Sequence, residues 1–288
     1  MVPKLFILRG FYSLLINSRL VIFEFHRQEP QDGETNVCAT KAIYMQAIIL
    51  AAGLSKRLRP LTDTTPKCLL KAGGKTLLEM TINNILKNGI NEFVMVTGYR
   101  ENMIKEFIAQ NYPGLNITYL TNSGYENNNN SYSLWMTKDY IKGDSLLLDS
   151  DILFDHRIIT KLLESQHLNN LAVNASHQLG EEEIKVIIDS TNKIEHIGKH
   201  LNPADCYGES IGIERFSHDF FVKLGEVLER KIVKENNVNE FYEASFQELY
   251  DKGNSMYAID VSEYKSMEID FPEDFERASE VVKELEVI

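Results

Sequence analysis

The chain has 288 residues, 43% of them hydrophobic and 25% charged, with a formal net charge of −12 at pH 7. This length can bury a large core in one domain, and the acidic balance argues against nucleic-acid binding, which needs a basic surface. A local cluster of Lys and Arg can still bind a small anion. The three cysteines lie far apart without metal-binding or disulfide spacing, which favours a reducing, cytoplasmic location.

Residues 1–44 differ in character from the remainder of the chain. Arg9, Arg19 and Glu24 interrupt their apolar part, so no apolar run approaches the length of a membrane-spanning helix, and we predict no stable membrane insertion. A polar, turn-rich stretch follows before strand-like sequence begins. We interpret residues 1–44 as an extension, poorly ordered or a misassigned start, and residues 45–288 as the functional domain.

Apolar strand-like runs alternate with helical periodicity in the first half of the domain. The predicted strands are 47–50, 93–96, 117–120 and 145–148. The predicted helices between them are 77–86, which should stop at Gly89, then 103–109 and 131–140. Nearly continuous apolar strands alternating with helices indicate a mainly parallel sheet that is covered by helices on both faces.

The second half is less regular and richer in strands. Its predicted strands are 184–188, 193–197, 207–214, 257–261 and 267–269, and its predicted helices are 216–233 and 241–250. We therefore predict an α/β fold with a mixed, mainly parallel sheet and a β-rich insertion on the substrate side. Ligands of such sheets bind at the carboxyl ends of the strands.

The loop after the first strand combines small residues with basic ones. Small residues let phosphate oxygens approach backbone N–H groups, and Arg57 and Lys67 add positive charge. We predict that both basic groups are catalytic, holding a triphosphate and stabilising the departing pyrophosphate. For any short part of the loop, an ordinary turn with solvated basic residues is the alternative. The small residues predicted to shape the nucleotide site are Leu50, Ala51, Ala52 and Gly53.

The segment from Ala51 to Lys67 resembles the pyrophosphorylase motif AAGxGxRLxPLTxxxPKP of the nucleotide-sugar transferase superfamily. The resemblance extends essentially from residue 45 to the C-terminus. It implies a Rossmann-like fold, an NTP bound on this loop and Mg²⁺-assisted nucleotidyl transfer. Ser55 stands where the motif has its second Gly, and Cys68 stands where it has Pro after Lys. Neither departure removes a charged group.

Carboxylates follow two of the predicted strands. Asp149 and Asp151 follow 145–148, and Glu268 and Asp270 end the chain's last predicted strand. Carboxylates from separate strands can hold one Mg²⁺ together with phosphate oxygens and water, whereas a single acid is more often a surface group. The resemblance assigns metal binding to Asp151 and Asp270. Glu268 is a weaker candidate, and Asp149 has a supporting role.

An Asn-rich segment precedes the helix predicted at 131–140. Its amide and hydroxyl groups fit two roles, reading the edge of a nucleotide base or capping the helix at Asn130 or Ser131. We predict nucleotide contacts from Asn130 and Ser133. Thr97, Gly98 and Tyr99 end a neighbouring strand and are predicted to contribute to the same pocket.

Four stretches resemble the branch that contains CTP:phosphocholine and 2-aminoethylphosphonate cytidylyltransferases. They are an Asn-x-x-Ser-Leu pattern at 130–134, Pro-Lys-Cys-Leu-Leu at 66–70, residues 208–213 and Glu-Ile-Asp at 268–270. The resemblance implies CTP as donor and a small phosphorylated or phosphonylated amino-alcohol-type acceptor. Two alternatives stay open: a sugar-1-phosphate nucleotidylyltransferase using UTP, dTTP or CTP, and a non-catalytic nucleotide-binding regulatory relative.

Such an acceptor has an anionic end and an ammonium end. We predict that Lys185 and Lys199 hold the anion, and that Glu209, Tyr242 and Glu243 face the ammonium through carboxylate and aromatic contacts. The alternative is that the lysines are solvated strand residues and that Tyr242 packs on a helix. The oligomeric state does not follow from the sequence.

Overall fold

The computed structural model describes residues 5–8, 11–16, 19–24, 44–176 and 179–286, with no side-chain description before residue 44 or at 286. The strands are β1 (Leu5–Leu8), β2 (Phe11–Ile16), β3 (Arg19–Glu24), β4 (Met45–Ala51), β5 (Lys71–Ala72), β6 (Lys75–Thr76), β7 (Glu92–Thr97), β8 (Asn116–Thr121), β9 (Asp144–Asp149), β10 (Ile152–Phe154), β11 (Asn170–Asn174), β12 (Lys185–Ile188), β13 (Ile194–Gly198), β14 (Gly208–Phe216), β15 (Tyr257–Asp260) and β16 (Ser266–Glu268). The helices are α1 (Leu77–Lys87), α2 (Glu101–Asn111), α3 (Asn130–Met136), α4 (Arg157–Glu164), α5 (His218–Glu229), α6 (Glu243–Asp251) and α7 (Pro272–Glu286).

The central sheet has a parallel half and an antiparallel half. Its main path runs β13-β12-β14-β9-β4-β7-β8, and β11 pairs with both β14 and β15. Strands β9, β4, β7 and β8 are mutually parallel, whereas β14 runs antiparallel to β9 and begins the β-rich part of the sheet. The predicted mixed α/β fold with a β-rich insertion is confirmed.

Strand β4 shows why the sheet is covered on both faces. Ile48 and Leu50 belong to one buried cluster, which includes residues of α3, α5 and α6. Ala47 and Ile49 belong to a second cluster, which includes residues of α1, α2 and α4. Successive side chains of a strand point to opposite faces, so a continuous apolar run is buried on both.

Helix α1 begins and ends where the sequence indicates. The Thr76 side chain accepts a hydrogen bond from the backbone N–H of Glu79 at 3.0 Å, which caps the first turn. Gly89 follows the helix with a φ of 78°, the left-handed conformation that Gly adopts without steric cost. The predicted stop at Gly89 is confirmed.

Several other predicted boundaries were wrong. The helix predicted at 216–233 begins at His218 because Phe216 still pairs with Ser145 across β14 and β9. The helix predicted at 131–140 is shorter, spanning Asn130–Met136. Within residues 45–286, the strands and α-helices that we did not predict are β5, β6, β10, β11, α4 and α7.

Strands β1, β2 and β3 form a three-stranded antiparallel sheet of their own. The other residues of 1–43 lie outside the described residues, as does Cys38. The interpretation of 1–44 as an extension therefore stays a prediction. In the described part of the chain, no helix is both long enough and apolar enough to cross a membrane.

Candidate active site

A cavity of about 1160 Å³ opens at the carboxyl ends of β4 and β9. It lies where ligand sites of parallel sheets are expected. Most of the predicted site residues line it, namely Leu50, Ala51, Ala52, Gly53, Arg57, Lys67, Asn130, Ser133, Asp151, Lys199, Glu209, Glu243 and Asp270. The predicted residues outside its lining are Thr97, Gly98, Tyr99, Lys185 and Tyr242.

The loop after β4 is anchored by one apolar side chain. Leu58, in the short 3-10 helix Lys56–Leu58, is fully buried in a third apolar cluster with residues of α7. Ser55 enters this turn with a φ of 48°, and its carbonyl accepts a hydrogen bond from the Thr62 hydroxyl at 2.9 Å. Burial of Leu58 leaves the neighbouring Arg57 half exposed at the cavity, where it forms an ion pair with Asp270.

Lys67 joins two elements of the site through a buried ion pair. Its side chain is 7% exposed, and its Nζ donates to Asp151 Oδ2 at 2.9 Å and to Asp270 Oδ1 at 2.7 Å. Burial alone would lower the pKa of the Lys67 ammonium, but the charges of Asp151 and Asp270 outweigh it and raise that pKa. The lysine is therefore a fixed positive charge at the cavity floor.

Three carboxylates meet beside this lysine. One oxygen from each of Asp151, Glu268 and Asp270 lies within 4.8 Å of the others. Burial, then the charges of Asp151 and Asp270, raises the pKa of Glu268 to about 8. Burial opposes ionisation of Asp270, but Lys67 and Arg57 lower its pKa overall.

This carboxylate cluster fits a divalent cation. Asp151 Oδ1 is buried without a hydrogen-bond partner, although a buried polar atom ordinarily has one. Carboxylate oxygens are the ligands that Mg²⁺ prefers, and a cation would also relieve the repulsion that raises the Glu268 pKa. Glu268, a weaker candidate from sequence, completes the cluster that Asp151 and Asp270 begin.

An amide network forms another part of the cavity wall. Buried Asn122 donates to Asn128 Oδ1 at 2.8 Å and to Ser133 Oγ at 3.1 Å, and Asn128 donates back to Asn122 Oδ1 at 3.1 Å. Asn130 Oδ1 accepts from the backbone N–H of Tyr242 at 3.0 Å, which ties α3 to the start of α6. The helix cap is Asn129, not Asn130 or Ser131 as predicted, because Asn129 Oδ1 accepts from the Asn130 N–H.

Buried acids lie behind the cavity. The hydroxyl of fully buried Tyr242 donates to Asp149 Oδ2 at 2.9 Å, so Tyr242 orients Asp149 and does not face a ligand as predicted. Burial raises the pKa of Asp149 and of Glu214 well above their usual values, and raises that of Glu243 to about 7. Of these acids, Asp149 and Glu243 line the cavity.

Lys185 was wrongly predicted to be a ligand-facing residue. Its side chain is 1% exposed, and its Nζ donates to the backbone carbonyls of Gly180 at 2.9 Å and Glu183 at 3.2 Å. Lys185 therefore holds the loop before β12 in place. Its position at the start of an alternating strand suggested exposure, but the loop folds over its side chain.

The end of β7 was also wrongly assigned to the nucleotide pocket. Thr97 Oγ1 donates to Glu101 Oε2 at 3.1 Å, and the Tyr99 hydroxyl donates to the Thr62 carbonyl at 2.8 Å. A side chain at Gly98 would put its Cβ 2.7 Å from the Ala52 carbonyl oxygen. Gly98 and Tyr99 therefore contact the loop after β4, whereas Thr97 contacts the first turn of α2.

The comparisons with known proteins agree with this geometry. The profile of the nucleotidyl transferase family matches residues 46–182. The chain is 29% identical over 253 residues to CTP:phosphoglutamine cytidylyltransferase of Campylobacter jejuni, covering 81% of this chain and 98% of the relative. It is 26% identical over 196 residues to 2-aminoethylphosphonate cytidylyltransferase of Lancefieldella rimae, covering 62% of this chain and 74% of the relative. Residues 46–182 therefore resemble the nucleotidyl transferase family, and the relatives extend that similarity over most of the chain.

The solved structures show the same fold. The inositol-1-phosphate CTP transferase of T. maritima matches with a TM-score of 0.69 at 24% identity, over 84% of this chain and 97% of that chain. Among the curated relatives, a UTP–glucose-1-phosphate uridylyltransferase of Haloferax volcanii is 33% identical over 111 residues, which cover 38% of this chain and 45% of the relative. The predictions of a nucleotidyltransferase enzyme and of its similarity to cytidylyltransferases are confirmed.

Some residues of this nucleotidyltransferase site were missed from the sequence. Asn122 and Asn128 hold the amide network, Glu182 and Phe241 stand at the cavity mouth, and Ser210 lines the cavity on β14. The polar residue Asn122, directly after the apolar run of β8, was a usable signal, because it lies at a strand's carboxyl end. The loop that carries Glu182 has no periodicity, so nothing in its sequence marked that residue.

Proposed function

We propose that this nucleotidyltransferase is a Mg²⁺-dependent cytidylyltransferase that transfers CMP from CTP to a small phosphorylated or phosphonylated amino-alcohol-type acceptor. The observation that carries the proposal is the Lys67 ammonium, held by Asp151 and Asp270 at the floor of a cavity beside the small-residue loop. The cytidylyltransferase relatives support CTP as the donor.

In this reaction an anionic oxygen of the acceptor bonds to the α-phosphorus of CTP, the bond to the β-phosphate breaks, and pyrophosphate leaves. Two of the three N–H donors of Lys67 serve carboxylates, which leaves one for a phosphate oxygen. Arg57 adds a planar guanidinium at the cavity for the departing pyrophosphate. A divalent ion held by Asp151, Glu268 and Asp270 would neutralise phosphate charge and help to align the reacting oxygens.

The chain needs no general base for this step. The second pKa of a phosphate monoester is about 6, so the attacking oxygen is already ionised at neutral pH. The task of the protein is therefore to position two anions and to offset their repulsion.

The side of the cavity formed by the β-rich half of the sheet suits an acceptor that carries both a negative and a positive charge. Lys199 supplies a cation and packs 5.0 Å from the Phe241 ring centroid, while Glu209 and buried Glu243 supply carboxyl groups. With its pKa raised to about 7, Glu243 is readily ionised by a nearby ammonium group, which would strengthen binding of an amino-bearing acceptor.

The test is pyrophosphate release from each NTP with Mg²⁺, using phosphocholine, 2-aminoethylphosphonate and a panel of sugar 1-phosphates. We expect release with CTP and an amino-bearing phosphate or phosphonate. Release only with a sugar phosphate would keep the reaction class and replace the acceptor. No release with any pair, together with measurable CTP binding, would favour the regulatory alternative.

A further inference from the structure

The mouth of the cavity is crossed by a chain of contacting side chains. Glu182 Oε2 lies 3.3 Å from Arg57 NH1 and 3.3 Å from Lys199 Nζ. Arg57 lies over the Phe271 ring at 4.8 Å from its centroid, and Lys199 lies over the Phe241 ring at 5.0 Å. All five residues line the same cavity.

The two cations come from opposite sides of the site. Arg57 follows β4 on the phosphate-loop side, and Lys199 follows β13 on the β-rich side. Glu182 Oε2 lies between the Arg57 guanidinium and the Lys199 ammonium and contacts both. Such a position attracts any anion of suitable size, and a phosphate oxygen is chemically equivalent to the carboxylate oxygen there.

We infer that Glu182 is a displaceable internal anion that occupies this position in the empty site and leaves when a substrate phosphate or phosphonate binds. This inference rests on the proposed function. The Glu182 side chain is 66% exposed, and its partners are 45% and 34% exposed. Ion pairs of this kind are weak, so a stronger anion can replace the carboxylate.

The charge of the ligand decides how readily it replaces Glu182. A carboxylate carries one negative charge, as a phosphodiester does, whereas a phosphate monoester carries about −1.5 to −2 at pH 7. Attraction to the two cations scales with charge. A dianionic monoester or phosphonate therefore displaces Glu182 more readily than a monoanionic diester does.

The test is equilibrium binding of inorganic phosphate at pH 8, measured by titration calorimetry on the full chain. Glu182→Gln keeps the size of the side chain and removes its charge, so the Kd for phosphate should fall about threefold to tenfold. Glu181→Gln is the matched control, since Glu181 is an exposed neighbour on the same loop, and its Kd should equal that of the wild type.

Two further arms locate the effect and test its selectivity. In a Lys199→Ala background, Glu182→Gln should change the Kd for phosphate much less, because one of the two cations is gone. Dimethyl phosphate, a monoanion, should bind more weakly than inorganic phosphate but should gain affinity from Glu182→Gln by a similar factor, because an internal competitor affects every ligand that displaces it equally. With active enzyme, the KM for the acceptor should fall more than kcat changes.

Equal Kd values for phosphate in wild type and Glu182→Gln, or no saturable binding by either, would overturn the inference. An equal gain in Glu181→Gln would also overturn it, because the effect would then be one of general surface charge. If no NTP and acceptor pair releases pyrophosphate while Glu182→Gln still tightens phosphate binding, the proposed function fails and the inference about Glu182 stands.

Discussion

One carboxylate oxygen of Asp151 forms an ion pair, and the other has no hydrogen-bond partner among the described residues. Its Oδ2 accepts from Lys67 at 2.9 Å, whereas Oδ1 is buried without a partner. In Asp151→Asn the amide oxygen can still accept from Lys67, but the charge that would bind a metal ion is lost. We expect pyrophosphate release to fall by about two orders of magnitude or more, with an unchanged circular dichroism spectrum.

Calorimetric titration with Mg²⁺ and Mn²⁺ measures metal binding independently of turnover. Asp151→Asn should bind both ions more weakly than the wild type. Glu106→Gln, an exposed acid on α2, is the charge-matched control and should bind metal as the wild type does. Wild-type rates in Asp151→Asn would remove this residue from the mechanism.

Glu243 should make the stability of the protein depend on pH. Burial raises its pKa from 4.5 to about 7 in the folded chain, so folding favours the protonated carboxyl. Its contribution to the free energy of unfolding is fully present below pH 4.5 and is lost as pH rises through about 7. In Glu243→Gln the side chain stays neutral at every pH, which removes this loss.

The measurement is denaturant unfolding of wild type and Glu243→Gln from pH 5 to pH 9. The free energy of unfolding of the variant, relative to wild type, should rise by about 2–3 kcal/mol over this range. Taking the difference between the two proteins cancels the titration of groups that do not interact with Glu243, whereas Asp149 and Glu214 feel its charge and contribute with it. Parallel curves would show that Glu243 ionises as an ordinary exposed acid.

At the scale of elements, the loop before β12 depends on one lysine. Lys185 Nζ donates to the carbonyls of Gly180 and Glu183, on either side of the glutamate that reaches the cavity mouth. Lys185→Met keeps an apolar stem of similar length and leaves two carbonyls without this donor, at a cost of about 1–3 kcal/mol. The loop should then open more often.

Limited proteolysis with a Glu-specific protease measures that opening. Cleavage after Glu181, Glu182 or Glu183 should be faster in Lys185→Met than in wild type, with little change elsewhere. Lys193→Met, in the turn between β12 and β13, is the control and should be cleaved at the wild-type rate. Unchanged cleavage of the loop in Lys185→Met would mean that other contacts hold it.

Elements differed in how far their sequence predicted them. The strands β4, β7 and β9 were predictable because buried parallel strands are continuous apolar runs. Strand β10 has three residues, too few to show a period, and was missed, whereas the equally short β16 was predicted at 267–269, one residue from its observed position. Helix α4 is preceded by Asp155, whose Oδ1 accepts a hydrogen bond from the backbone N–H of Arg157 at 2.9 Å, so the usual signal for a helix N-terminus was present and was overlooked.

Local sequence also limited how many of the site residues could be predicted. Lys67, Asp151 and Asp270 were predictable because each stands in a motif or directly after an apolar strand. Tyr242 and Lys185 were assigned wrongly because their residue types suit a ligand, and burial is a property of tertiary packing that local sequence does not carry. Residue chemistry predicts what a side chain can contact, whereas the fold decides whether it contacts ligand or protein.

At the scale of the whole molecule, the site exists only where the two halves of the sheet meet. Lys67 and Asp151 are separated by 84 positions in sequence, and Lys67 and Asp270 by 203. The parallel half supplies the phosphate loop and Asp151, and the antiparallel half supplies Lys199 and Glu209. Donor and acceptor can therefore approach each other only in the fully folded domain.

This dependence extends to the boundaries of the domain. Within residues 45–285, the described apolar clusters join the central sheet to its helices. If the functional domain begins at residue 45, as the sequence predicts, the fragment 45–288 should fold, with a Tm within about 2 °C of the full chain and the same CTP binding. The fragment 52–288 lacks β4, which lies between β9 and β7, and should not fold because its loss splits the sheet. Calorimetric unfolding of both fragments tests the boundary. A fall of more than about 5 °C in the Tm of 45–288 would mean that residues 1–44 are part of the folded domain.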